Sequence, residues 1–273
     1  MSKINASIVV YKNSKEQLMK AVRSILSSEQ VSSIYVIYNS AASEEMGLYK
    51  KNAKIKYIYN DENIGYGAGH NIAIRESIKD GADYHVVLNP DVYFDSSIIS
   101  KLADYADAHK DVGLIMPKIL YPNGSVQFLA KLLPTPIDLM FRRFLPFKSY
   151  KEKRNKKYEL RFTNYERVMN VPYLSGCFMF LNTKTLKDVG LFDENIFMYT
   201  EDTDLSRRIH RNYKTIFYPH VHIYHEYAKG SYKSSKLMIH HIKSVIYYFN
   251  KWGWFFDAER SRMNKRVLRS LSI

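Results

Sequence analysis

The carboxylates best placed for chemistry stand where a strand ends and where a helix begins. Asn89-Pro90-Asp91 directly follows the apolar run Tyr84–Leu88. A carboxylate at a strand's carboxyl end can coordinate a divalent ion that in turn holds a diphosphate, although the same tripeptide also makes an ordinary turn. Glu201, Asp202 and Asp204 crowd the start of a predicted helix, with Arg207, Arg208 and Arg211 farther along it. That order complements the helix dipole, and one such acid at a cleft would also remove a proton from an attacking hydroxyl. In Asn63-Ile64-Gly65-Tyr66-Gly67-Ala68-Gly69-His70-Asn71 the glycines alternate. They would let backbone approach a ligand beside free helix N–H groups, or simply form a tight turn; neither a Walker loop nor GxGxxG fits. In His220-Val221-His222-Ile223-Tyr224-His225, a strand would put His220 and His222 on one face and His225 on the other. With no cysteine partner and no HExxH, structural zinc is not expected; one histidine supplementing an acidic metal site is.

The elements that must position these residues alternate. Ala6–Tyr11, Ile34–Tyr38, Ile55–Tyr59, Tyr84–Leu88 and Gly113–Met116 read as strands. Helices are expected from Ser14, with Gln17 completing a capping box, to about Ser27, across Ile72–Ser77, and over Ser96–His109. This is an α/β chain with a mainly parallel sheet flanked by helices, and such sheets bind ligands beyond their strands' carboxyl ends. Those ends are Tyr11-Lys12-Asn13, Asn39-Ser40, Asn60 through Gly69, and Asn89-Pro90-Asp91. Past residue 116 come a turn at Tyr121-Pro122-Asn123-Gly124, a basic insertion at 131–162 and an apolar block, Val171–Leu181. A division into a catalytic domain, 1–230, and a helical basic-aromatic tail, 231–273, is expected.

Composition bounds the partners. The 273 residues are 46% hydrophobic and 25% charged, a globular balance, and the one cysteine, Cys177, excludes an internal disulfide framework and suits a reducing compartment. No apolar run reaches the roughly 18–20 residues of a membrane span, and the first residues do not read as a signal peptide. A cytoplasmic protein, free or peripheral, is expected. The net charge of +14 points to a polyanionic partner. Arg142, Arg143, Lys148, Lys151, Lys153, Arg154, Lys156, Lys157 and Arg161 adjoin Leu139–Phe147; Arg260, Arg262, Lys265, Arg266 and Arg269 follow Tyr247–Phe256. Cations beside Trp, Phe and Leu suit an anionic membrane surface, the plainer reading being a solvated loop and a packed helix. No nucleic-acid-binding module is present, so no nucleic-acid partner is expected.

NIGYGAGHN, LNPD, LSGCFMF and GLFDENIFMYTEDTDLSRRI, in this order between about Ser7 and His225, resemble glycosyltransferase family 2. These are inverting enzymes of the GT-A fold, and the likeness is to the bacterial rhamnosyltransferase-like branch that builds O-antigen, capsule and related polysaccharides. The resemblance implies a nucleotide-sugar donor, usually with Mg²⁺ or Mn²⁺, and a lipid-linked saccharide acceptor. dTDP-rhamnose is the expected donor and UDP-sugars the alternative. The enzyme would sit peripherally on the cytoplasmic face of the inner membrane. By position, Asp91 resembles the metal-binding acid of a DxD-type motif whose first acid is replaced by Asn89, and His225 a histidine completing the metal shell. Asp202 aligns with the catalytic base and Glu201 with the neighbouring acid that orients the acceptor. Gly65, Gly67 and Asn71 resemble donor-site elements, with Tyr11 and Asn63 on the same side; Gly176 resembles the acceptor-pocket floor. Where the family has Asp-Asn-Ser, this chain has Tyr38-Asn39-Ser40. Tyr38 would stack on the base or Asn39 hydrogen-bond it, and reduced donor affinity is expected. The rival readings are a nucleotidyltransferase, which would want more than Lys12 as an early phosphate grip, and a non-catalytic nucleotide-sugar-binding homologue.

Overall fold

The structure is a computed structural model that describes residues 1–40, 52–141, 148–227 and 235–271. Strand β1 (Ile4–Val10) is buried on both faces, as its unbroken apolar run requires of a central parallel strand. It lies between β2 (Val31–Tyr38) and β4 (Tyr84–Leu88), and β3 (Ile55–Tyr59) extends the parallel set. Helix α1 (Lys15–Leu26) starts on Ser14, whose hydroxyl accepts from Gln17 N. The capping box is only half built, because the Gln17 amide reaches Glu226 instead of the cap. Helix α2 (Tyr66–Lys79) begins at Gly65, and α3 (Ser97–Ala108) follows the short β5 (Val92–Tyr93).

Among the described residues the sheet has nine strands in the order β3-β2-β1-β4-β10-β6-β11-β5, with β8 (Met169–Asn170) paired to β11. β6 (Val112–Leu120) and β11 (Lys214–His225) are parallel to each other, whereas β10 (Phe178–Asn182) runs antiparallel to both β4 and β6. That reversal sets the site. Phe178, the first residue of β10, lies opposite Leu88, the last of β4, and Asn89 N donates to Cys177 O at 2.9 Å. The segment entering β10 therefore shares a rim with the ends of the parallel strands.

The basic insertion is more ordered than a solvated loop. β7 (Ala130–Lys131) pairs with β9 (Tyr173–Leu174), a π-helical turn spans Ile137–Phe141, and α4 (Lys148–Tyr158) follows. Arg154 ties α4 to that turn through Asp138 at 2.7 Å and Thr135 at 2.7 Å. Arg161 pairs with Glu159 and lies 4.8 Å from the Phe128 ring centroid. Arg142, Arg143, Phe144, Leu145, Pro146 and Phe147 lie outside the described residues.

Beyond β10, α5 (Thr183–Val189) leads to α6 (Glu201–His210), and two tail helices, α7 (Ser235–Trp252) and α8 (Ala258–Leu271), close over α6. Val267 and Leu271 of α8 join the main core, and Val245, Tyr248 and Phe249 of α7 form a cluster with Leu139 and Met140. Asp257 works twice: its Oδ1 caps α8 by accepting from Arg260 N, and its carboxylate takes a bidentate pair from Arg207 at 2.7 and 2.8 Å. Both side chains of that pair are almost fully buried, and Trp252 stacks 4.2 Å from the guanidinium. Arg207→Ala would leave Asp257 charged and buried, a loss of about 3–5 kcal/mol. Chemical denaturation should report that loss, with α7 and α8 gaining protease sensitivity first.

Candidate active site

Asp91 stands just past β4, and its backbone oxygen accepts from Glu226 N at 2.9 Å, which ties the loop to the end of β11. Its Oδ1 lies 3.3 Å from His225 Nε2. His225 takes the buried parity of β11 while His220 and His222 point to solvent. Its Nδ1 meets Gln127 Oε1 at 3.0 Å, and the Gln127 amide donates in turn to His225 O at 2.8 Å. Burial alone would lower the His225 pKa, but Cys177 and Asp91 outweigh it and push it up to about 10.

Glu201 and Asp202 open α6, and both are buried. The surroundings split them. Asp202 Oδ2 accepts from Gly176 N at 2.9 Å, and Oδ1 accepts from Thr203 N at 2.7 Å and the Thr203 hydroxyl at 3.2 Å. Burial raises the Asp202 pKa, against a downward pull from Gly176, Thr203 and the charge of Lys131. Glu201 has a buried Oε2 with no hydrogen-bond partner among the described residues, and burial plus the charge of Asp202 push it up to about 8. Burial thus raises both carboxyls, but the hydrogen bonds fall on Asp202 while Glu201 Oε2 has none among the described residues, so the two acids of one helix start sit in unlike surroundings. Paired carboxyls in unlike environments are fitted for distinct acid and base roles.

Tyr66 joins the two acidic groups. Its hydroxyl donates to Gly176 O at 2.7 Å. Its pKa lies well above the ordinary value, from burial first and then from Glu201, Cys177, Asp202 and Asp91. One half-buried phenol is thus in the field of the acids at β4 and at α6. A Cβ added at Gly176 would meet Asp202 Cβ at 3.1 Å and the Tyr66 ring at 3.5 Å, so a side chain there would press on the acid.

Several expected donor residues organise the rim. Asn39 is buried, donating to Gly65 O at 2.9 Å and to Asn63 Oδ1 at 3.2 Å and accepting from Asn60 at 2.8 Å. Asn63 Oδ1 also accepts from Gly65 N at 3.0 Å. Gly65 takes φ +96° with Phe197 O only 2.6 Å from where a Cβ would stand, so no side chain fits there. Asn71 clamps Phe192 N, Phe192 O and Glu194, which fixes the loop before α6. Gly67 packs against Phe192. Tyr11 is exposed at the end of β1, and Asn89 is half-buried beside Asp91. Tyr38 is 2% exposed, its ring in a stack with Tyr57 and Tyr59 at 6.3 and 5.2 Å; the outer ring, Tyr59, is 40% exposed.

Three residues come from outside the expected set. Lys131 sits with its Nζ 5.5 Å from the Tyr173 ring centroid and 5.9 Å from that of Tyr158, and its charge reaches Asp202. Gln127 orients His225, and Tyr66 spans the site. Tyr66 lies inside the glycine-rich stretch and was within reach of a reading that weighed aromatics there. Lys131 and Gln127 carry no local signal, since chain folding alone brings them in.

A divalent ion fits Asp91 and His225 in part. Asp91 Oδ1 and His225 Nε2 are buried, face each other and lack hydrogen-bond partners among the described residues. A ligating histidine commonly donates its other ring N–H to an acceptor, which Gln127 Oε1 provides. Among the described residues no three His, Cys, Asp or Glu side chains gather to hold an ion unaided. Diphosphate and water oxygens would have to fill the remaining positions, as they often do around Mg²⁺.

A family profile described as "Glycosyltransferase like family 2" matches residues 4–242. The chain belongs to that family. It is an enzyme, a glycosyltransferase of the hexosyl-transferring type. The glycosyltransferase is 28% identical over 214 residues to an N-acetylglucosaminyl-diphospho-decaprenol L-rhamnosyltransferase of Mycobacterium tuberculosis, covering 74% of this chain and 69% of that one. It is 27% identical over 208 residues to the low-salt glycan biosynthesis hexosyltransferase Agl10 of Haloferax volcanii, covering 75% of this chain and 61% of Agl10. In fold it resembles GalNAc-T7, crystallised with UDP, GalNAc and Mn²⁺, at TM-score 0.66 and 16% identity; 90% of this chain covers 48% of that one. It also resembles a Staphylococcus aureus TarS fragment in complex with UDP, at TM-score 0.58 and 13% identity, over 97% of this chain and 70% of that one. These likenesses establish the GT-A fold, and family membership displaces the nucleotidyltransferase reading.

The Glu201 proton has a thermodynamic signature. From its ordinary value of 4.5 to about 8, folded Glu201 keeps a proton that the unfolded chain has released. Stability should therefore fall as pH rises through that window, by up to about 1.4 kcal/mol per pH unit from this group. Glu201→Gln should flatten the slope in denaturation series across the window and leave behaviour below it unchanged.

Proposed function

We propose that the enzyme moves a sugar, with inversion, from a nucleoside-diphosphate donor to a hydroxyl of a lipid-linked saccharide during surface-polysaccharide synthesis, with rhamnose as the sugar and dTDP-rhamnose as the donor. The observation that carries this reading is the buried carboxyl pair at α6, Asp202 hydrogen-bonded by Gly176 and Thr203 and Glu201 pushed up to about 8, in one field with Asp91 at Tyr66. The decaprenol-linked acceptor and rhamnosyl group in the name of the mycobacterial relative support the substrate classes.

In this reading Asp202 takes the proton of the acceptor hydroxyl as that oxygen attacks the anomeric carbon, and the diphosphate leaves from the opposite face. The hydrogen bonds from Gly176 and Thr203 aim its carboxylate and counter the upward push of burial. Glu201, carrying its own proton, donates a hydrogen bond that orients the acceptor. A divalent ion, Mg²⁺ or Mn²⁺, bound by Asp91 and His225 would offset the charge that develops on the departing diphosphate. The donor lies over the Gly65–Tyr66 turn, whose shape Asn39 and Asn63 fix, with Asn89 and Asp91 on its diphosphate side. Gly176 forms the floor under the acceptor. The reaction takes place at the cytoplasmic face of the membrane that holds the acceptor, with the enzyme peripheral to it; no described helix is long and apolar enough to cross a membrane.

Asp202→Asn tests the assignment of the base. Transfer should drop by about 10³-fold or more, while calorimetry shows nucleoside-diphosphate binding within a few-fold of the parent. Substantial turnover by that variant would remove Asp202 from the role. Product mass spectrometry with dTDP-rhamnose and UDP-sugars side by side tests the donor, and preference for a UDP-sugar would overturn rhamnose alone.

A further inference from the structure

Helix α8 has two faces of opposite character. Met263, Val267 and Leu271 are buried, and Met263 packs with Leu133 and Tyr173 directly behind the site. On the other side Arg262, Lys265, Arg266 and Arg269 are exposed at helical spacing. With Ala258 and Ser261 they line an open depression of about 460 Å³. None of these four cations is ion-paired among the described residues. The helix's own acid is spent inward: Glu259 pairs with Arg207 and Arg211. Arg260 is spent too, donating to the carbonyls of Pro134, Gly253, Trp254 and Phe255.

Those last contacts shape the loop before α8, which turns at Gly253 with φ +99°. Phe255 and Phe256 project from it, 73% and 100% exposed. Other aromatics of the tail are placed inward. Tyr248 and Phe249 are fully buried, and Trp252 is held by Arg207, Arg211 and Asp204. The two phenylalanines are thus a fixed apolar prong beside an unneutralised basic helix face. A single exposed apolar residue is ordinary, but an adjacent pair leading a four-cation stripe matches what a lipid interface takes up.

We infer that the outer face of α8 and the Phe255–Phe256 prong form a docking surface for an anionic phospholipid bilayer. The rings enter the headgroup boundary while Arg262, Lys265, Arg266 and Arg269 meet lipid phosphates. The surface is read from its own residues; that it serves the lipid-linked acceptor rests on the function proposed above. Single-stranded nucleic acid is disfavoured because it calls for a basic groove with aromatics along its length, whereas here both rings stand at one end of a helix.

Co-sedimentation of the full chain with acceptor-free vesicles tests the surface. Phosphatidylglycerol-containing vesicles should bind it, pure phosphatidylcholine vesicles should not, and added salt should release it. Replacing Arg262, Lys265, Arg266 and Arg269 together by Gln should lower partitioning by about 100-fold or more. Phe255→Ser with Phe256→Ser should lower it by about 10-fold. Replacing the three arginines by Lys should restore most of the binding, since the lipid contact needs charge, and melting temperatures confirm that each variant is folded. Turnover on a water-soluble acceptor should be the same in all of them, which separates docking from the transferase reading. Vesicle binding that ignores lipid charge or survives both sets of substitutions would overturn the inference. So would tighter binding to single-stranded RNA than to vesicles, or loss of a dimer as the main effect of the substitutions in light scattering.

Discussion

Loss of hydration at the amino end of α6 is the constraint around which the structure is arranged. Glu201, Asp202 and Asp204 are 5%, 8% and 0% exposed, and a carboxylate stripped of water is costly unless something replaces it. Each acid has its own remedy. Glu201 keeps its proton, Asp202 collects donors from Gly176 and Thr203, and Asp204 is enclosed by Arg208, Lys251 and the Trp252 indole. The third remedy recruits α7, so the tail belongs to the energetic support of α6. A helix start built this way keeps its acids buried without an external partner.

Strand direction completes the arrangement. A parallel sheet places its loops at one rim, but the acids there would lack backbone N–H groups pointing back at them. The segment entering the reversed strand β10 supplies one: it runs along the rim, where Gly176 N donates to Asp202, and it is tied there by Cys177 O, which accepts from Asn89 N. Asn39 and Asn71 hold the neighbouring turns by spending their amides on the protein's own backbone. Their chemistry is geometric. Removing either would deform a loop before it removed a contact to any ligand.

Much of this was legible in the residues. Tyr84–Leu88 read correctly because a buried parallel strand is a short apolar run between turn residues, and Ile55–Tyr59 because aromatic and β-branched residues mark a strand even at the half-exposed sheet edge. The two-residue strands β5, β7, β8 and β9 were not, since two residues carry no periodicity. Helix α4 was hidden for the opposite reason: it is long enough, but Lys148–Tyr158 has no apolar face to announce it. Asp91, Glu201, Asp202 and His225 stood out through the family resemblance, and the fold brings Asp91 and His225 within 3.3 Å of each other. Lys131 and Gln127 did not stand out, because β7–β9 pairing and the end of β11 bring them to the site. Composition pointed to the tail's aromatics but not to their sorting, by which Tyr248 and Phe249 turn inward while Phe256 stays out.

The Arg207–Asp257 pair spans 50 positions of sequence. During translation the guanidinium therefore leaves the ribosome well ahead of the acid that neutralises it, and α6 can settle into its dry position only when that acid has emerged. A nascent chain stalled short of Asp257 would carry an uncompensated cation where α6 must dock. Docking of α6 is thereby coupled to the arrival of α7 and of the start of α8, so the helix that carries Glu201, Asp202 and Asp204 is buried late and together with those two.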